Sequence, residues 1–174
     1  MPETHYKVLV NPHGGTGTGS KILERIKPIF AATNKRLQVY VTERAGHAAE
    51  LASQLDLSGC EGLCLIGGDG TIHEVINGLM SRGSPNAVPL GLIPGGTGNT
   101  VLQHFGCSDP IEAAKRIVKG RTQLFDIARV TTNSEVSYCA NVIGWGAFAD
   151  INEIAESWRR LGPSRYSIAA IAYM

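Results

Sequence analysis

The chain has 174 residues, 43% of them hydrophobic and 18% charged, a composition that excludes a disordered or coiled-coil protein and leaves room for one domain with part of a second. Its 16 basic and 15 acidic residues give a net charge of +1, so no global basic field and no nucleic-acid partner are expected, while a local anion site stays open. Glycine is the departure: 21 residues, about 12% where ~7% is usual, grouped in a few loops and without a collagen period.

In chain order the pattern alternates. Residues 6–10 form an apolar, β-branched run. A glycine-rich loop at 11–19 follows, then a helical repeat over 20–32, in which Ile22, Ile26 and Ile29 recur on one face. A second strand is expected at 37–42 and a helix at 46–55. Residues 62–66 read as a fully apolar strand, with 67–70 as its turn. The next helix is expected at 71–81, opened by Thr71 as cap with Glu74 three residues on, the spacing of a capping box. A strand at 88–93, a loop at 94–98, and helices near 99–105 and 109–119 complete the series. Strands alternating with helices predict a layered α/β fold with a largely parallel sheet. Its ligand site is expected beyond the carboxyl ends of the strands, where all three glycine loops fall.

The pattern changes after Gly120. Residues 124–131 and 136–142 read as two strands of a hairpin, 151–161 as helix, and 166–174 as an apolar run without cap or polar tail. The expected organisation is therefore an α/β domain at 1–123 and the beginning of a β-rich domain at 124–174, as in a truncated chain. Cys60, Cys64, Cys107 and Cys139 match no zinc spacing, and free thiols are expected. No secretory pattern opens the chain and no stretch of 18 apolar residues occurs, so no span is expected and the location reads as cytoplasmic.

The strongest chemical signal is Leu65-Ile66-Gly67-Gly68-Asp69-Gly70-Thr71. A buried strand delivers glycines and one carboxylate to a helix N-terminus. Glycines let backbone N–H groups approach an anion closely, and the helix end adds positive potential. Asp69 in such a turn reads as a residue near Mg²⁺ or as a base; the plain alternative is a tight turn with a solvated Asp. The loop Asn11-Pro12-His13-Gly14-Gly15-Thr16-Gly17-Thr18-Gly19-Ser20 lacks the lysine ending of a P-loop. The third loop is Pro94-Gly95-Gly96-Thr97-Gly98-Asn99. Three such loops at one sheet edge predict a polyphosphate cradle.

These motifs resemble the catalytic region shared by diacylglycerol, ceramide and sphingosine kinases. The resemblance is carried in order by Asn11-Pro12, Thr42-Glu43-Arg44, His47-Ala48, Gly67 to Thr71 with His73-Glu74-Val75 and Asn77-Gly78-Leu79, the loop 94–99, and Trp145-Gly146 through Arg165-Tyr166. It covers nearly the whole chain, and its last block is nearest to the sphingolipid kinases. It implies an NAD kinase/diacylglycerol kinase-like α/β domain followed by a lipid-binding β-sandwich, with ATP in the cleft between them, Mg²⁺, a lipid substrate and peripheral membrane contact. By position, Asp69 resembles the base that activates the lipid hydroxyl. Asn11, Gly14, Gly15, Thr42, Gly68, Glu74, Gly96 and Thr97 resemble nucleotide contacts, and Arg159 and Arg165 phosphate contacts. Asp69→Asn is then expected to slow transfer by roughly 10²–10⁴-fold and to change ATP affinity little, because the glycines remain.

Two departures bear on the lipid. Where sphingosine kinases carry an acid two positions beyond Asp150, this chain has Asn152, and Val142 replaces a head-group serine. Asp126 resembles an aspartate that joins the metal network through water in diacylglycerol and ceramide kinases. The resemblance implies a substrate class of sphingoid base, ceramide or diacylglycerol, and within it these departures favour a lipid without a free amine. Trp145 and Phe148 read as acyl-channel lining or as core, and the arginines 159, 160 and 165 equally as a solvated face. His47 and His73 read as capping or solvated groups. Two other functions stay open: a kinase of a soluble substrate resembling NAD kinase, and a non-catalytic nucleotide-binding module.

Overall fold

The computed structural model describes residues 4–15, 17–83, 88–133 and 135–173, with the side chains of Thr4, Arg159, Arg160 and Pro163 outside that description. Two compact units divide the chain, 1–141 and 142–174.

In the first unit, β1 (Thr4–Val10), β2 (Lys35–Val41), β3 (Gly62–Gly67) and β4 (Leu90–Pro94) form one parallel sheet in the order β2-β1-β3-β4. The crossovers are α1 (Gly19–Ala31), α2 (His47–Gln54) and α3 (Asp69–Met80), and α4 (Thr100–His104) and α5 (Pro110–Val118) follow β4. Side chains alternate across a strand. Val8, Val10, Cys64 and Ile66 therefore meet Ile22, Ile26 and Phe30 of α1 and Ala113 and Ala114 of α5. Leu9, Leu63 and Leu65 meet Ala48 and Ala52 of α2, Val75 of α3, and Val101 of α4 on the opposite face. Being covered on both faces is why β3 reads as an unbroken apolar run, all six residues buried. Each large side chain in these layers contributes roughly 1.5–3 kcal/mol by burial.

Helices α2 and α3 touch backbone to backbone. A Cβ at Gly78 would lie 2.2 Å from the Ala49 carbonyl oxygen, so only glycine permits that approach. The expected start of α3 is two residues late, and the capping box does not form. Gly68 is the N-cap and no side chain caps the helix. Thr71 is buried, its hydroxyl accepting from Asn11 Nδ2 at 3.0 Å, and Glu74 Oε2 accepts from the Ala48 amide of α2 at 3.2 Å. Both side chains serve neighbouring elements instead of their own helix.

The hairpin forms as β5 (Ala128–Thr132) and β6 (Glu135–Cys139), antiparallel, with Asn133 at φ 44° in its turn. Asn77 of α3 donates from Nδ2 to the Tyr138 carbonyl and accepts at Oδ1 from the Tyr138 amide, both at 2.8 Å. The side-chain amide thus copies a strand's peptide group and fixes the hairpin to α3. The hairpin lies within the first compact unit, which runs to Asn141.

In the second unit an irregular stretch at 142–146 leads into helices: α6 (Ala147–Ser157), a 3₁₀ stretch at Arg159–Ser164 and α7 (Arg165–Tyr173). The β character expected beyond Leu124 is confined, among described residues, to the hairpin. None of the four cysteines, all of them described, is in a disulfide, and burial pushes the Cys64 and Cys107 thiols above their ordinary values. No helix among the described residues is long and apolar enough to cross a membrane.

Candidate functional site

The sheet order fixes where a ligand can approach. From β1 the chain steps out to β2, then returns to β3 on the other side. The order reverses between β1 and β3, whose carboxyl ends open a crevice. The loops after β1, β3 and β4 lie side by side at this edge.

Glycines let the three loops touch. Gly15 stands at φ +58°, and a Cβ there would lie 2.9 Å from Gly96 Cα; a Cβ on Gly68 would also lie 2.9 Å from Gly96 Cα, and one on Gly96 only 2.4 Å from Gly68 Cα. Backbone bonds tie the same loops to the sheet: Asn11 N donates to Ile66 O and Gly95 N to Gly67 O, each at 2.9 Å. Asn11 closes the crevice further, since its Nδ2 reaches Thr71 and its Oδ1 accepts from the His13 amide at 3.0 Å.

Two helices begin at this crest. Neither α1 nor α3 has a side-chain cap, and α1 carries no acid in its first turn. The positive end of α1 is available to an anion, and that of α3 shares its first turn with the Asp69 carboxylate. Beside the crest lies a cleft of about 390 Å³ whose lining includes Thr18, Lys21, Arg25, Gly96, Asn99 and Ser108. Lys21 and Arg25 stand four residues apart on one face of α1, a like-charge spacing that favours a bound anion. Residue spacing along the loops does not single out these two; the fold brings them to one cleft with the loop after β4.

Asp69 sits on this crest in a specific bonding state. Its Oδ2 accepts from the Thr100 amide at 3.0 Å and its Oδ1 from the Val101 amide at 3.1 Å. The carboxylate caps α4 from another loop. A carboxylate has about four acceptor sites, so two remain for a proton or a further donor.

Of the expected nucleotide contacts, Asn11, Gly14, Gly15, Gly68, Gly96 and Thr97 gather on the crest with Asp69. Thr42 is buried at the end of β2, its amide and hydroxyl both directed to the Val10 carbonyl at 2.9 and 3.4 Å. Glu74 lies one turn below Asp69 and faces α2. His47 Nδ1 accepts from the Glu43 amide at 3.1 Å, a loop-fixing role. Asp126 is exposed on the irregular segment after α5.

The remaining expected residues belong to the second unit. Trp145 and Phe148 are 81% and 79% exposed, so within that unit they pack no core. Asn152 is exposed. Asp150 accepts from the Tyr173 hydroxyl at 2.8 Å, and that bond holds the phenol above its ordinary pKa. Arg165 is turned inward: Nη2 donates to Glu156 at 3.0 Å and to the Tyr166 hydroxyl at 2.8 Å, while its Nε is buried without a partner among the described atoms. The side chain of Arg159 lies outside the described residues.

A model of the diacylglycerol kinase catalytic domain matches residues 5–130. Sphingoid long-chain bases kinase 1 of Arabidopsis thaliana is 37% identical over 172 residues, covering 93% of this chain and 22% of that protein. Ceramide kinase of Homo sapiens is 31% identical and covers 96% of this chain and 34% of its own length. Among solved structures, a diacylglycerol kinase from Bacillus anthracis str. Sterne superposes with a TM-score of 0.66 at 26% identity, covering 91% of this chain and 54% of that one. The chain spans well under two thirds of each of these proteins.

Proposed function

The chain belongs to the diacylglycerol kinase catalytic domain family, and from that premise we propose that it forms the ATP-binding part of a lipid kinase. The observation that carries the reading is the meeting of Gly15, Gly68 and Gly96 at the sheet's switch point, with two uncapped helix N-termini behind them. Such a crest suits a polyphosphate, whose oxygens need closely approaching N–H donors and positive potential.

In the proposed reaction a lipid hydroxyl oxygen attacks the γ-phosphorus of ATP. The new O–P bond forms as the bond to the β–γ bridging oxygen breaks, and ADP leaves. Asp69, with acceptor capacity left after its two amide bonds, takes the hydroxyl proton. Asn11, Gly14, Gly15, Thr42, Gly68, Glu74, Gly96 and Thr97 are proposed to line the nucleotide, with Thr42 and Glu74 acting through the backbone they hold. Arg165 reaches a phosphate only by leaving Glu156, and Arg159 is proposed beside it. Among the described residues no three His, Cys, Asp or Glu side chains are grouped to hold a metal ion. Mg²⁺ is therefore proposed to arrive as the Mg·ATP complex, held by phosphate and water, with Asp126 contributing through water.

The lipid is proposed to bind from residue 124 onward, with Trp145 and Phe148 against its chains and Asp150 and Asn152 near its head group, at a membrane visited peripherally from the cytoplasm. Asn152 offers no charge to an ammonium, which favours ceramide or diacylglycerol over a free sphingoid base. The test is a radiometric assay with γ-labelled ATP, Mg²⁺ and micelles of each lipid, run on the protein carrying this chain and on its Asn152→Asp variant. Label in the lipid phase supports the kinase reading, and a shift of the variant towards sphingosine supports the role of Asn152. ATP binding without label in any lipid would favour the non-catalytic module. An unchanged lipid ratio would remove Asn152 from the argument.

A further inference from the structure

We infer that Asn99 is a positioning residue of the phosphate crest, holding Gly96 against Gly15 and Gly68 while leaving the first amides of α4 to Asp69. The inference rests on the nucleotide reading above and adds a residue to it.

Asn99 occupies the N-cap position of α4 with φ 51° and ψ 40°, a left-handed conformation that asparagine tolerates better than most residues. An asparagine at this position ordinarily accepts from the amides of the first turn. Here it makes no such bond. Its Oδ1 accepts from the Gly96 amide at 2.9 Å and its Nδ2 donates to the Gly96 carbonyl at 2.8 Å. One donor and one acceptor on a planar side chain thus meet both polar groups of one residue, which fixes the peptide planes on either side of Gly96.

Two consequences follow at the crest. Gly96 is clamped between Asn99 Oδ1 and Gly68, since a Cβ at Gly96 would lie 3.0 Å from the first and 2.4 Å from Cα of the second. The Val101 amide, which a capping Asn99 would compete for, goes instead to Asp69 together with the Thr100 amide. Position 99 therefore needs an acceptor, a donor and a left-handed backbone together. Aspartate lacks the donor, serine lacks the paired geometry, and glycine supplies only the backbone.

The experiment is calorimetric titration of the chain with Mg·ATP, alongside Asn99→Gly, Asn99→Asp and the control Asn34→Gly, with amide exchange followed at Gly96. Asn99→Gly keeps the backbone and removes both bonds. Asn99→Asp keeps the size and sets a carboxylate oxygen against the Gly96 carbonyl. Asn34 has the same left-handed backbone, φ 55°, at the end of α1. Both Asn99 variants should lose roughly tenfold to hundredfold in ATP affinity, the worth of two hydrogen bonds, and exchange faster at Gly96, while Asn34→Gly keeps wild-type affinity. Wild-type affinity in both Asn99 variants, or unaltered exchange at Gly96, overturns the inference. A wild-type chain that takes up no ATP overturns the nucleotide reading, and the inference with it.

Discussion

Asp69→Asn is expected to lower phosphoryl transfer by roughly 10²–10⁴-fold, the usual range for loss of a general base, and to weaken ATP binding as well. The second effect comes from the bonds that Asp69 makes. Each carboxylate oxygen accepts one backbone N–H, from Thr100 and from Val101. An asparagine presents one acceptor and one NH₂, so one of those amides would face a donor. The tie between the start of α3 and α4 would then loosen, and with it the loop that presents Gly96 and Thr97. Losing one hydrogen bond and stranding one amide is worth about tenfold in affinity. This replaces the expectation, drawn from glycines alone, that ATP affinity would change little. Transfer rate and ATP affinity, measured separately on the protein carrying this chain, decide the matter. Normal transfer would remove the base assignment, and reduced transfer at wild-type ATP affinity would mean that the cap on α4 does not support the crest.

Gly96→Val is expected to abolish measurable ATP binding, and Gly68→Val to do nearly the same. At Gly96 the new Cβ would stand 2.4 Å from Gly68 Cα and 3.0 Å from Gly68 N, all backbone. No rotamer change relieves such a contact, so the loop after β4 must move away from the loop after β3. The core layers lie below this edge and carry most of the burial, so the sheet should persist with reduced stability. Gly83→Ala is the control, since a Cβ there meets nothing within 4 Å. ATP affinity at the wild-type level in Gly96→Val, with the fold intact by circular dichroism, would show that phosphate does not sit on this crest.

Much of this arrangement is legible without coordinates. Runs such as Leu63 to Ile66 announce strands covered on both faces, and three glycine groups placed directly after such runs announce one shared edge. What local pattern misreads are side chains whose partners are distant in sequence. Thr71 and Glu74 have capping-box spacing, yet their partners are Asn11, 60 residues away, and Ala48, 26 residues away. Asn99 precedes a helix and resembles a cap, yet it turns back to Gly96 and yields the cap to Asp69. Asn77 lies in a matched motif without an evident task, and the Tyr138 backbone supplies that task only after folding. In residues 147–173 the apolar positions fit a helix face as well as a strand, and there the structure is mostly helical.

We propose that the phosphates of ATP rest on the crest made by the loops after β1, β3 and β4. Amide chemical-shift mapping of the isotopically labelled chain during titration with Mg·ATP tests it most directly. The largest changes are expected at Asn11 to Gly15, at Gly68 to Thr71 and at Gly95 to Asn99, with Thr42 also affected and the amino-terminal ends of the strands unmoved. Changes confined to residues outside those loops, or none at saturating ATP, would contradict it.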